Sequence, residues 1–101
     1  MDKGTRLSVD RLIDQINLVG SESLIEDLCY DLITHLKVHY KLNVSDFNKV
    51  DADTNKKYQD LAGTNNNFYT ITFRDFTLTA TLREIAQRLQ GIIDGQYWAG
   101  K

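Results

Sequence analysis

A chain of 101 residues, 42% hydrophobic and 26% charged, has the size and composition of one globular domain rather than a disordered or fibrous chain. Its formal charge of −2 argues against a general nucleic-acid affinity, which needs clustered cations to displace phosphate counterions. Cys29 is the single cysteine, which excludes an intrachain disulfide. No signal-peptide core follows the first residues, and no apolar run approaches the roughly 20 residues needed to span a bilayer, so a reducing cytoplasm is the expected home.

The charge is uneven. Residues 1–40 hold four Lys/Arg and seven Asp/Glu, net −3, and residues 41–101 hold eight and seven, net +1. A partner with a basic surface would feel the acidic half.

In chain order, Ser8 reads as a helix N-cap. Val9, Leu12, Ile13, Ile16 and Val19 follow on one stripe, which predicts a helix over Val9–Val19 stopped by Gly20. Ser23-x-x-Glu26 has the form of a capping box. Leu24, Ile25, Leu28, Leu32, Ile33, Leu36 and Tyr40 then give a broad apolar face through Lys41. Tyr30 and Val38 sit off that stripe, either covered by neighbouring loops or offered to a partner. Beyond Asn43 the pattern thins. Leu42 and Val44 suit a short third strand, Asp46 to Val50 equally suits a helical turn, and Thr54 to Leu61 suits a short helix ended by Gly63. Asn65 to Asn67 reads as a turn.

The stretch from Phe68 to Thr81 carries the sharpest pattern. Tyr69, Ile71 and Phe73 alternate with Thr70 and Thr72; after Arg74-Asp75, Phe76, Leu78 and Ala80 alternate with Thr77 and Thr79. A turn at Arg74-Asp75 sets Phe73 opposite Phe76, Ile71 opposite Leu78 and Tyr69 opposite Ala80, with all six on one face and threonines on the other. A second capping box, Thr81-x-x-Glu84, opens a helix whose face is Leu82, Ile85, Ala86, Leu89, Ile92 and Ile93, with Glu84 and Arg88 as an i,i+4 pair. Gly95 is the expected stop, leaving 96–101 as a tail bearing Tyr97 and Trp98. The prediction is a single α+β domain over 1–101: two N-terminal helices, a small antiparallel hairpin or three-stranded sheet, and a C-terminal helix on one sheet face.

Motifs for chemistry are weak. His35 and His39 stand one helical turn apart, with Asp31 and Asp27 continuing the row. Asp31 to His39 spans about 12 Å of helix axis, too far for one zinc ion with bonds near 2 Å to collect all three. The expectation is an Asp31–His35 pair at the rim of the apolar face. Asp51-x-Asp53-x-Asn55 resembles the start of a calcium loop, but Lys56 stands where the glycine belongs and Ala62 where the bidentate glutamate belongs, so a polar loop is expected. Leu82 to Ala86 resembles the first helix of a helix-turn-helix turning near Gly91, with too little basic chain after it to read DNA. Cys29 lies about 9 Å along the helix from His35 and reads as a core residue, and no serine sits in a nucleophile-elbow setting.

No catalytic, metal or cofactor signature emerges. The expected function is a small non-enzymatic protein-binding module, an inhibitor, immunity or adaptor protein of the kind carried by phages and mobile elements, a nuclease blocker being one instance. Its expected contacts are Asp27, Tyr30, Asp31, Thr70, Thr72, Thr77, Thr79, Tyr97 and Trp98, together with hairpin edges open to strand addition. The alternative is a nucleic-acid-binding regulator using Lys56, Lys57, Arg74, Arg83 and Arg88. Short length and open edges also favour a homodimer.

Overall fold

A computed structural model describes the backbone of residues 3–74 and 77–99 and the side chains of residues 8–74 and 77–95. Helix α1 (Lys3–Leu18) buries Val9, Ile13 and Ile16. It starts ahead of Ser8, which lies inside the helix rather than at its cap. Between Lys3 and Leu7 only Gly4 opposes helix, at about 1 kcal/mol. Helix α2 (Glu22–His39) buries Ile25, Cys29, Leu32, Ile33 and Leu36. Leu24, expected on that face, is 54% exposed, because it lies about 120° from the centre of the buried stripe. The Ser23–Glu26 capping box does not form. The N-cap is Ser21, with no side-chain cap bond, and Glu26 instead accepts the Tyr69 hydroxyl at 2.8 Å. At the far end Lys41 takes a left-handed φ of 57°, and Leu42 N–H returns to Leu36 O at 3.2 Å.

Past Asn43 the expected short third strand forms as β1 (Val44–Lys49) and the expected short helix as α3 (Ala52–Ala62), each longer than the sequence pattern suggests. Asp51 is the α3 N-cap and accepts Thr54 N–H at 3.1 Å. That bond holds its carboxyl below the usual carboxylate range. The expected polar loop at residues 51–55 is therefore the opening of a helix. Gly63 ends α3 with φ 67°, a left-handed position that suits glycine. The helical turn envisaged for Asp46 to Val50 is replaced by strand.

Strands β2 (Phe68–Phe73) and β3 (Thr77–Thr81) complete an antiparallel sheet of order β1-β2-β3. The hairpin register is as predicted, Tyr69 opposite Ala80 and Ile71 opposite Leu78. The expected turn residue Asp75 and the Phe73–Phe76 pair fall partly on residues 75–76, outside the described residues. β2 is central, so one of the two hairpin edges expected to be open is covered by β1.

Helix α4 (Leu82–Ala99) follows β3 without a loop. Its capping box forms: Thr81 N–H reaches Glu84 Oε1 at 3.2 Å and Glu84 N–H reaches Thr81 Oγ1 at 3.4 Å. Glu84 thus turns back to Thr81 rather than along the helix to Arg88. Gly91 and Gly95 both lie inside α4 and neither stops it. Each costs about 1 kcal/mol; at Gly91 this is set against the burial of Leu89 and Ile93 on either side of it. The helix-turn-helix reading lapses with the missing turn.

Helices α1, α2 and α4 pack together, and α4 lies on β2 and β3. Ile16, Leu32, Leu36, Tyr69, Ile71, Ile85, Leu89 and Ile93 form the fully buried heart of this core. Burying each such side chain contributes roughly 1.5–3 kcal/mol. Phe68 alternates to the other face and lies outside the main cluster, covered instead by Tyr58 of α3 at 5.4 Å between rings.

Candidate partner-binding face

The sheet positions its open face through hydrogen-bond alternation. Val50 N–H bonds to Phe68 O at 3.0 Å, so with the observed register the pairs Asn48/Thr70 and Asp46/Thr72 bond directly. Their side chains point away from α1, α2 and α4 and continue onto β3 in two rows: Asn48, Thr70, Thr79 and Asp46, Thr72, Thr77. A register shift between Val44 and Asp46 marks a bulge that returns Val44 and Phe47 to the core side.

The side chains on this face are ordered among themselves. Thr72 Oγ1 and Thr77 Oγ1 lie 3.0 Å apart. Thr70 Oγ1 donates to Asn48 O, and Ser45 Oγ donates to Thr72 O, each at 3.4 Å. Asn48 Nδ2 donates to Asp46 Oδ1. The face offers hydroxyls, one amide and one carboxylate. All of these can donate or accept hydrogen bonds.

Of the predicted contacts, the four threonines come together, and Asp46 and Asn48 join them unforeseen. The bulge hid these two. It turns the period of two into a spacing of three between Val44 and Phe47, which mimics a helical turn. Tyr30 lies around the β1 edge, 45% exposed. Its ring meets Phe47 edge-on at 4.9 Å, and its hydroxyl donates to Phe47 O at 3.4 Å. Between Tyr30, Thr34 and Lys37 of α2 and Ser45, Asp46 and Phe47 of β1 runs a groove of about 240 Å³. Asp27 and Asp31 are exposed on α2, in the helical layer and apart from the threonines. Tyr97 and Trp98 belong to α4, and their side chains lie outside the described residues.

Other polar groups serve the fold. Asn55 Oδ1 accepts Phe68 N–H at 2.7 Å, and Asn55 Nδ2 donates to Asn67 Oδ1 at 2.9 Å. Asn67 Nδ2 donates to Glu22 Oε2 at 2.6 Å, and Lys49 stands 3.9 Å from the same oxygen. This chain of contacts ties α3, β1 and β2 to the start of α2. Arg83 donates to Val19 O at 2.6 Å and Ile16 O at 3.4 Å, placing a cation at the C-terminus of α1. Burial, and then the Glu26 carboxylate, push the Cys29 thiol up to about 12; its Sγ points to Leu82 O at 3.8 Å. It is a core residue. The rings of His35 and His39 lie 4.4 Å apart, tilted by 44°, and the expected Asp31–His35 ion pair does not form. Among the described residues no group of three or more His, Cys, Asp or Glu is placed to hold a metal ion. No described helix is long and apolar enough to cross a membrane.

No family model, curated protein or solved structure matches the chain.

Proposed function

We infer that the chain is a small protein-binding module, working as an inhibitor, immunity factor or adaptor, and that it engages its partner through the open sheet face. The observation that carries this reading is the face itself: Asp46, Asn48, Thr70, Thr72, Thr77 and Thr79 remain at least partly exposed, while α1, α2 and α4 gather on the opposite side. Threonine side chains are short and stiff at χ1, so they lose little rotamer freedom when a partner docks. Asp46, the carboxylate on this face, favours a partner with a basic group opposite it. A role on a phage or mobile element, including nuclease blocking, is one instance of this class.

The nucleic-acid reading is weaker, since Arg83, one of its five cations, is engaged with α1 carbonyls. The test uses the source organism's lysate, a photo-crosslinker at Thr70, and the double variant Asp46→Lys, Thr72→Arg. Capture of one protein by the parent chain, lost in a double variant that melts normally, supports the reading. No capture, or equal capture by both, sinks it. Titration with duplex and single-stranded DNA at two salt concentrations is expected to give no salt-sensitive binding.

A further inference from the structure

We propose that two copies of the chain associate through the outer edge of β3, with Leu78 on the two-fold axis. Backbone alternation decides which groups this edge offers. Phe68, Thr70 and Thr72 turn their backbone groups to β1, so Tyr69 and Ile71 turn theirs to β3, where Ala80 and Leu78 bond back. Thr77, Thr79 and Thr81 therefore direct N–H and C=O outward. Thr81 N–H is occupied by Glu84 Oε1 at 3.2 Å. Thr77 and Thr79 remain. An antiparallel copy centred on Leu78 sets Thr77 opposite Thr79 twice over, each pair exchanging both N–H···O bonds. Leu78, only partly buried in one chain, then packs against its own copy.

The two outer strands are treated differently. β1 carries a bulge next to Asp46, a tyrosine hydroxyl on its Phe47 carbonyl, and Lys49 on the helix-facing side, 3.9 Å from Glu22. Bulges and inward-facing lysines are devices that keep foreign strands away. The described part of β3 presents threonines at its outward positions. A second copy suits this edge better than a foreign strand because the charge beside it is self-complementary. Leu78, Thr79 and Ala80 line one open groove of about 410 Å³ with Glu84, Gln87 and Arg88. Across a two-fold axis α4 meets its copy antiparallel, which brings Glu84 of each chain toward Arg88 of the other. The inference goes beyond the binding-face reading, because it uses a strand edge and stands whether or not a partner occupies the threonine face.

A contact this short gives association in the micromolar range rather than the nanomolar. Sedimentation equilibrium of the full chain, from roughly 5 to 300 μM, should show the mean mass rising from 11.6 kDa toward twice that value. Thr79→Pro removes an outward N–H without touching the β2 ladder, and Arg88→Glu sets like charges across the axis. Each should weaken association at least tenfold while melting close to the parent. A monomer throughout the range overturns the proposal, as does a dimer equally strong in both variants. Weakening by Arg88→Glu alone overturns the strand pairing; weakening by Thr79→Pro alone upholds that pairing and overturns the charge contact.

Discussion

Asn55 shows how much a single amide can hold. Tyrosines and Cys29 aside, it is the one buried polar residue among the described side chains, and it serves both as acceptor for the first amide of β2 and as donor to Asn67. Removing it leaves a buried N–H unsatisfied, which costs more than the net value of the bond it made. Asn55→Ala should lower the unfolding free energy by about 2 kcal/mol in urea titrations. Asn55→Asp keeps the acceptor, loses the donor, and should fall between. Nothing in the local sequence announced this role, since an asparagine in Asp51-x-Asp53-x-Asn55 looks like a loop residue until β2 is brought against it. Glu26 repeats the lesson: its spacing from Ser23 fits a cap, yet the nearby Tyr69 hydroxyl takes it.

Among the elements, the hairpin and α4 were legible because local and tertiary preferences agree. Period-two alternation and a polar dipeptide between two strands allow one register only, since a slip by one would expose every apolar residue. The Thr81–Glu84 box works because α4 begins where the chain leaves the sheet. Thr81→Ala should cost about 1 kcal/mol and Thr81→Ser close to nothing, as measured by thermal and urea unfolding. β1 was legible only in part, as a short third strand beginning near Val44, for the opposite reason. Its bulge breaks the alternation, and its pairing with β2 is made across α3, at a distance no window of sequence reports. Gly95 misled for a simpler reason: glycine lowers local helix preference by about 1 kcal/mol without forbidding helix, and α4 runs on to Ala99.

For the domain as one cooperative unit, buried ionisable groups set a limit at high pH. The Cys29 thiol is raised from 9.0 to about 12, first by burial and then by Glu26. Below pH 9 both folded and unfolded chains keep this proton, so it leaves stability unchanged. Between pH 9 and about 12 the unfolded chain releases it first, so stability falls as pH rises. Tyr69, also raised by burial and by its bond to Glu26, works in the same direction. Urea midpoints measured across this window should drop less steeply in Cys29→Ala than in the parent, and equal slopes would remove Cys29 from this account. The α+β class, the hairpin register, three amphipathic helices and a threonine-bearing face followed from residue order alone, because periodicity reports which side of an element meets water. The place of β1 beside β2, the joining of Asp46 and Asn48 to the threonines, the separation of Asp27 and Asp31 from them, and the contrast between the two sheet edges required the tertiary structure. Each depends on contacts between residues far apart in the chain, and contacts of that range leave no local period behind.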